Sequence, residues 1–339
     1  MFVEITAPTA LPAPASPPDA GAGVSPGGPR ADSARSGRGR SRRSPRQLVR
    51  LLGRGVVPYL YLAPALGMLG VWTYRPLAET VNYSFFSWNL SPDSPATPQG
   101  WHNYHRLLTV PEVGGAVWRT FLMIAGLLPF TIIVPVVVGL LTAEVRGRAR
   151  TVYQALIFAP VLVAPVASAA VWQWMLFPEN GVVDRITGLS TNWLHEKTPA
   201  LLSITGIAGW HLLGFAVLVV AAGLASINGD YAEAASVDGA SRWQSIRWLT
   251  LPLLSPTLVF LLLTTVLLAG QWTFPLIDTL TQGGPVNATT NVYYLLWEYG
   301  FQSFDAGFAS AAGVVFFLGF GVVAGVLVRL SDRLTFHDN

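Results

Sequence analysis

No cysteine occurs in the 339 residues, so disulfides, thiolate metal ligands and a thiol nucleophile are excluded within this chain. Lysine is almost as scarce. Lys197 is the single example, and no glycine-rich turn precedes it, so a Walker A phosphate loop is absent and the chain does not hydrolyse ATP by that route. Charge of either sign is thin: 12% of residues are Asp, Glu, Lys or Arg, against 52% hydrophobic. That balance is too apolar for an ordinary soluble domain and describes a membrane-embedded protein. The five histidines, His102, His105, His195, His211 and His337, lack the acidic spacing of a metal or catalytic cluster.

What charge there is lies unevenly. Nine arginines (Arg30, Arg35, Arg38, Arg40, Arg42, Arg43, Arg46, Arg50 and Arg54) crowd the start of the chain among Pro, Ala, Ser and Gly without apolar periodicity. Such a segment cannot bury enough surface to offset its ordering entropy, so residues 1–50 read as a disordered, basic cytoplasmic tail. No aromatic residue is interleaved with the arginines, so nucleic acid is not an expected partner. Setting the topology and touching anionic membrane lipid is the expected role. The apolar run that follows starts too late and is too long for a cleavable signal peptide.

Residues 51–339 read as an all-α domain of six membrane-spanning helices, each near the roughly 20 apolar residues that a bilayer requires. The expected spans are Val56 to Tyr74, Thr120 to Ala143, Tyr153 to Phe177, Ala200 to Ile227, Leu253 to Ile277 and Ala306 to Val328. Pro129, Pro135, Pro160, Pro165, Pro256 and Pro275 predict kinks in them. An ion-coupled secondary transporter acting without an ATPase is the alternative reading. It commonly places ionisable groups inside the bilayer, and these spans hold none, with Glu144 and Asp278 falling at their ends. With the tail inside, sixteen of the 21 Lys and Arg residues fall on the cytosolic side and five outside. Both termini are therefore expected in the cytoplasm, with the loop 228–252 on the same side.

That loop carries the most specific signal. Asp230 with Glu233, and Ser241 with Gln244, have capping-box spacing for two short helices, and Gly239 between them suits a reversal at positive φ. In the second helix Trp243, Ile246 and Trp248 or Leu249 would form an apolar face, with Arg242 and Arg247 wet. Glu233-Ala234-Ala235, then Asp238-Gly239-Ala240, then Leu251-Pro252, resemble the EAA loop of membrane subunits of binding-protein-dependent ABC importers; Leu249 stands where that family usually has Ile. The resemblance implies a type I importer permease fold in a bacterial inner membrane, with Glu233, Ala234, Ala235, Asp238, Gly239, Ala240 and Arg242 as the surface that couples to the ATP-hydrolysing subunits. It also implies that ATP and Mg are used by the partner ATPase dimer and that this chain, which is not an enzyme, binds no cofactor.

Two outer segments narrow the resemblance. Trp101-His102-Asn103-Tyr104 looks like a stretch of sugar-type permeases, and Thr273-Phe274-Pro275-Leu276-Ile277-Asp278 with Gly283-Gly284-Pro285-Val286-Asn287-Ala288-Thr289-Thr290 resembles the carbohydrate-uptake branch, the glycerol-3-phosphate permease type in particular. A sugar or glycerol-phosphate-type solute, a second homologous permease and an extracytoplasmic solute-binding protein are what this implies. Gly283, Gly284, Pro285 and Asn287 are candidates for contact with the binding protein, although the string also makes sense as a tight turn alone. For the substrate path, polar and aromatic residues within spans are the candidates: Gln173, Trp174, Trp210, His211, Gln271 and Trp272. An interfacial aromatic belt accounts equally for Trp172, Trp174 and Trp210, and helix-to-helix hydrogen bonding for His211.

Overall fold

The computed structural model describes residues 59, 61–91, 93–143, 145 and 147–334. The chain divides into two units, 1–63 and 64–339, and nearly all the described residues belong to the second, whose fold follows. The expected tail, Glu144 and part of the first expected span lie outside the described residues.

Four described helices are long and apolar enough to cross a membrane, or five if a bent pair is one span. Residues 64–83 are helical and end in α1 (Arg75–Tyr83), followed by a two-stranded antiparallel hairpin, β1 (Phe86–Ser87) with β2 (Thr97–Pro98). Then come α2 (His102–Thr109), α3 (Pro111–Thr142), the bent pair α4 (Arg148–Leu162) and α5 (Pro165–Met175), and α6 (Val182–Thr187). The remainder is α7 (Lys197–Ser226), α8 (Gly229–Val237), α9 (Arg242–Leu280), α10 (Val292–Trp297) and α11 (Ala306–Leu334). Backbone groups in lipid must find partners within their own segment, which is why uninterrupted apolar runs become helices here. The second span begins nine residues earlier than expected, at Pro111, whose fixed φ and missing N–H suit the first helical turn and which is followed there by Glu112.

Proline acts in three different ways. Between α4 and α5 it breaks the helix: Val163 and Ala164 are extended, as the residue before Pro165 is obliged to be, and the two arms meet at 95°. Elsewhere the helix widens instead. The π turns Gly70–Tyr74, Pro129–Ile133 and Ile246–Thr250 each end two residues before a proline, Pro76, Pro135 and Pro252. The i→i−5 bonds that close them take up the register that a ring without an N–H disturbs. Pro256 and Pro275, in contrast, lie inside unbroken α9.

The largest core joins α3, α5, α7, α9 and α10 through Met123, Leu127, Ala169, Ile204, Leu212, Leu276 and Tyr294. Within lipid the drive is close packing and interhelical hydrogen bonds rather than exclusion of water. Thr265 on α9 donates to Thr131 on α3 at 2.9 Å. At Gly214 the backbone of α7 meets that of α4, where an added Cβ would lie 2.4 Å from the Ile157 carbonyl oxygen. Neither backbone can yield as a side chain would. Gly214→Ala is expected to destabilise the chain by about 2 kcal/mol or more through overpacking, read as a lowered unfolding temperature in detergent.

Candidate functional site

Residues 227–241 connect α7 to α9 through α8. The cap of α8 differs from the expected one: Asn228, not Asp230, is the N-cap, and its Oδ1 accepts the Asp230 N–H at 3.1 Å. Asn228 is the first residue beyond the end of α7 that offers a side-chain oxygen, so the cap falls there. The second capping box is present as expected, with Ser241 Oγ accepting from the Gln244 N–H and Gln244 Oε1 accepting from the Ser241 N–H at 2.7 Å. It opens no separate short helix, however. From Arg242 the helix runs without interruption through the π turn into the span, so the segment carrying Trp243 and Trp248 is rigidly part of α9.

Gly239 makes the reversal at φ +75°, with nothing near the position a Cβ would take. Glu233, Ala234, Asp238, Ala240 and Arg242 are exposed and Ala235 is half-buried. Along the expected apolar face Trp243 is 66% and Trp248 73% exposed while Ile246 and Leu249 are half-buried, and the Arg247 guanidinium lies 5.4 Å from the Trp248 ring centroid. Exposed aromatics with acidic and basic neighbours around a 400 Å³ hollow lined by Asp238, Gly239, Gln244 and Trp248 make a polar-rimmed contact surface.

The candidate substrate-path residues divide into two sets. Trp210, His211 and Trp272 come together: the His211 ring stacks on Trp272 at 4.8 Å and adjoins Trp210 at 5.0 Å, which packs edge-on to Trp172 at 5.8 Å. His211 is fully buried, and both its nitrogens are engaged within the chain. Gln173, Trp174 and Gln271 are exposed instead. At Gln271 the exposure is informative, because Pro275 has no N–H to offer the Gln271 carbonyl four residues earlier. An amide side chain and an under-served carbonyl on one outward-facing stretch of a span fit a polar cavity or a partner better than lipid.

In the segment before α3, Asn103 and Tyr104 fasten the fold. Asn103 Nδ2 donates to the carbonyls of Ser84 and Phe86 at 3.0 and 2.9 Å, and the Tyr104 hydroxyl meets Ser84 Oγ at 2.7 Å. The sequence reading missed the ion pair of Arg106 with Asp305 at 2.8 Å, which joins α2 to the start of α11. Nothing local in the sequence signals a pairing across 199 positions. The Gly283–Thr290 string is a tight, internally bonded turn. Gly283 has φ +81°, the Thr289 N–H and Oγ1 donate to the carbonyls of Gly283 and Gly284, and the Gly284–Pro285 peptide is cis. Val286 and Asn287 form its exposed tip, while Gly283 is buried and Gly284 and Pro285 half-buried. Arg119 Nε donates to the Thr290 carbonyl at 2.7 Å, and Asn291 caps α10 while its Nδ2 donates to Thr273 Oγ1 at 2.9 Å, so the turn is tied to α3 and α9.

Just beyond α10, burial and then the nearby Glu112 carboxylate push the Glu298 carboxyl above the usual range. Ionising Glu298 therefore costs the folded state, a penalty absent at low pH that grows from the ordinary carboxylate range up to the raised pKa and is constant above it. Glu298→Gln is expected to melt at a higher temperature than the parent chain at pH 7, with the difference shrinking toward pH 4. Thermal unfolding in detergent at the two pH values checks this.

These features describe a polytopic helical membrane protein in which one exposed segment joins two of the long helices, α7 and α9. Residues 135–337 match the family model of the binding-protein-dependent transport system inner membrane component, and the chain belongs to that family. It is a membrane transport subunit rather than an enzyme. It is 29% identical over 266 residues to the sn-glycerol-3-phosphate transport system permease protein UgpA of Pectobacterium atrosepticum, covering 77% of this chain and 89% of that protein. The Salmonella typhimurium protein of the same name is 29% identical over 263 residues, 76% and 88% of the two chains. The fold matches a chain of a bacterial ABC transporter involved in the import of the acidic polysaccharide alginate, with TM-score 0.72 and 23% identity over 86% of this chain and 100% of the other. A bacterial alginate ABC transporter in complex with an alginate pentasaccharide-bound periplasmic protein matches with TM-score 0.69 and 23% identity, over 85% and 96%.

Proposed function

We propose that this chain is the permease subunit of an ATP-driven importer, moving a glycerol-3-phosphate, glycerophosphodiester or sugar solute into the cytoplasm by alternating access. Its partners would be a second, homologous permease, a dimer of ATP-binding subunits and an extracytoplasmic solute-binding protein. ATP and Mg would be used by the ATP-binding subunits, and this chain would bind no cofactor. The observation that carries the reading is the continuity of α9 with the segment 242–249: a push on Trp243 or Trp248 is delivered directly to a spanning helix. Glu233, Ala234, Ala235, Asp238, Gly239, Ala240 and Arg242 would form the docking edge, within a coupling loop 228–252. The solute class rests on the names of the relatives and on the exposed polar stretch at Gln271, and the turn at Gly283, Gly284, Pro285 and Asn287 is the candidate landing point for the binding protein. The arrangement is completed by six spans in residues 51–339, both termini cytoplasmic, and the arginine-rich residues 1–50 against anionic lipid.

A detergent pull-down of the tagged chain from its own membrane tests this. Recovery of a P-loop ATPase with a second permease is the expected result, after which sn-glycerol 3-phosphate and sugars can be offered to its solute-binding protein. A chain that purifies alone and transports in liposomes under an imposed ion gradient would replace this reading with the secondary-transporter one.

A further inference from the structure

The break between α4 and α5 removes helical continuity over residues 163–164, yet the two arms hold a defined angle. A single side chain on a third helix spans the break. His211 of α7 lies 2.7 Å through Nδ1 from the carbonyl of Pro160, in the last turn of α4, and 3.0 Å through Nε2 from Ser168 Oγ, in the first turns of α5. A carbonyl only accepts, so Nδ1 carries the proton and donates. Nε2 of the neutral ring then accepts from the Ser168 hydroxyl. Both arms are thus bonded to one rigid, fully buried ring, which Trp272 of α9 covers by stacking at 4.8 Å. One turn along α7, Gly214 admits the α4 backbone at Ile157 and Phe158, so the same face of α7 receives α4 by contact and the break by hydrogen bonds.

We infer that His211 is a positioning residue that fastens both arms of the broken helix to α7, so that α4, α5, α7 and α9 move as one body. The two helices that flank α8 are α7 and α9, and along the chain the broken pair reaches that segment only through the 176–196 connection and the whole of α7. With the clamp in place, displacement of the α8 segment reaches α5 and its Trp172, Gln173 and Trp174 directly. The bonds themselves hold whether or not the chain is driven by an ATPase; the coupling consequence rests on the proposed function.

The absence of cysteine makes a direct test simple, since two introduced thiols are the only labelling sites. Spin labels at Leu156→Cys and Val171→Cys, both exposed on opposite arms, report the bend, and Val171→Cys with Leu202→Cys reports α5 against α7. The full chain, labelled by itself and then assembled with its partners, should give one narrow distance for each pair. His211→Phe keeps an aromatic ring against Trp272 and removes both hydrogen bonds. It should broaden both distributions and lower solute uptake per ATP hydrolysed about tenfold, as losing two buried hydrogen bonds predicts. Narrow, parent-like distances in His211→Phe overturn the clamp. Unchanged uptake per ATP despite broadened distances overturns the coupling consequence and leaves the clamp standing. If His211→Phe fails to accumulate in the membrane, Ser168→Ala decides. It removes one bond only, so the distance from α5 to α7 should broaden while that from Leu156→Cys to Leu202→Cys stays narrow. No broadening there also overturns the clamp.

Discussion

Replacing Gly239 by proline is expected to abolish uptake while the chain still inserts at its normal level. Gly239 holds φ at +75°, which the pyrrolidine ring, fixed near −65°, cannot reach. The chain would have to leave α8 in another direction, and α9 would then present Trp243 and Trp248 at a different angle to Glu233 and Asp238. Open space around the glycine makes a ranked series informative. An added Cβ meets nothing within 4 Å, so Gly239→Ala suffers only the left-handed backbone cost, about 1–2 kcal/mol. Gly239→Asn suffers less, because Asn tolerates that region. Uptake should therefore fall in the order Gly, Asn, Ala, Pro, and the proline variant should keep hydrolysing ATP without transport. The measurements are solute uptake and ATPase activity of the assembled complex at matched membrane levels. Normal uptake in Gly239→Pro would show that the reversal has no part in coupling.

Composition and spacing carried much of this architecture, because lipid leaves few options to an apolar run of about 20 residues. Limits that depend on sequence-distant contacts were not legible. A hydropathy reading starts the second span at Thr120, since Glu112, two glycines and Arg119 dilute the first turns, yet Thr120 Oγ1 accepts from the Val292 N–H and Arg119 holds the 283–290 turn, so those turns are helical and packed. The cap of α8 was ambiguous locally, with Asn228 and Asp230 both suitable, and only the end of α7 decides between them. Fusion of the second loop helix with α9 turned on the π turn before Pro252, where a proline normally signals a boundary. At His211 the sequence left ligand contact and hydrogen bonding open. The structure engages both ring nitrogens with partners 51 and 43 residues away, separations over which no periodicity speaks.

Glu233→Gln separates a docking role from a structural one, and the structure makes the substitution cleaner than its spacing suggests. By sequence, Glu233 sits where a capping box would place it, a role that Gln fills as well. In the fold the cap is Asn228, and Glu233 stands exposed on the edge that also carries Asp238. Neutralising it removes no cap, so the unfolding temperature should match that of the parent chain. If the carboxylate pairs with a cation of the ATP-binding subunit and is desolvated on docking, losing it should weaken association by about 2 kcal/mol or more, roughly 30-fold in Kd. Asn228→Ala supplies the opposite control. It leaves the charge and loses the cap, costing about 1 kcal/mol of helix stability with a smaller effect on association. Both quantities can be read from thermal unfolding of the isolated chain and titration of the purified ATP-binding subunit. A Glu233→Gln chain that binds like the parent would place the docking energy in Trp243, Trp248 and the hollow beside Gly239, and would make the acidic edge a bystander.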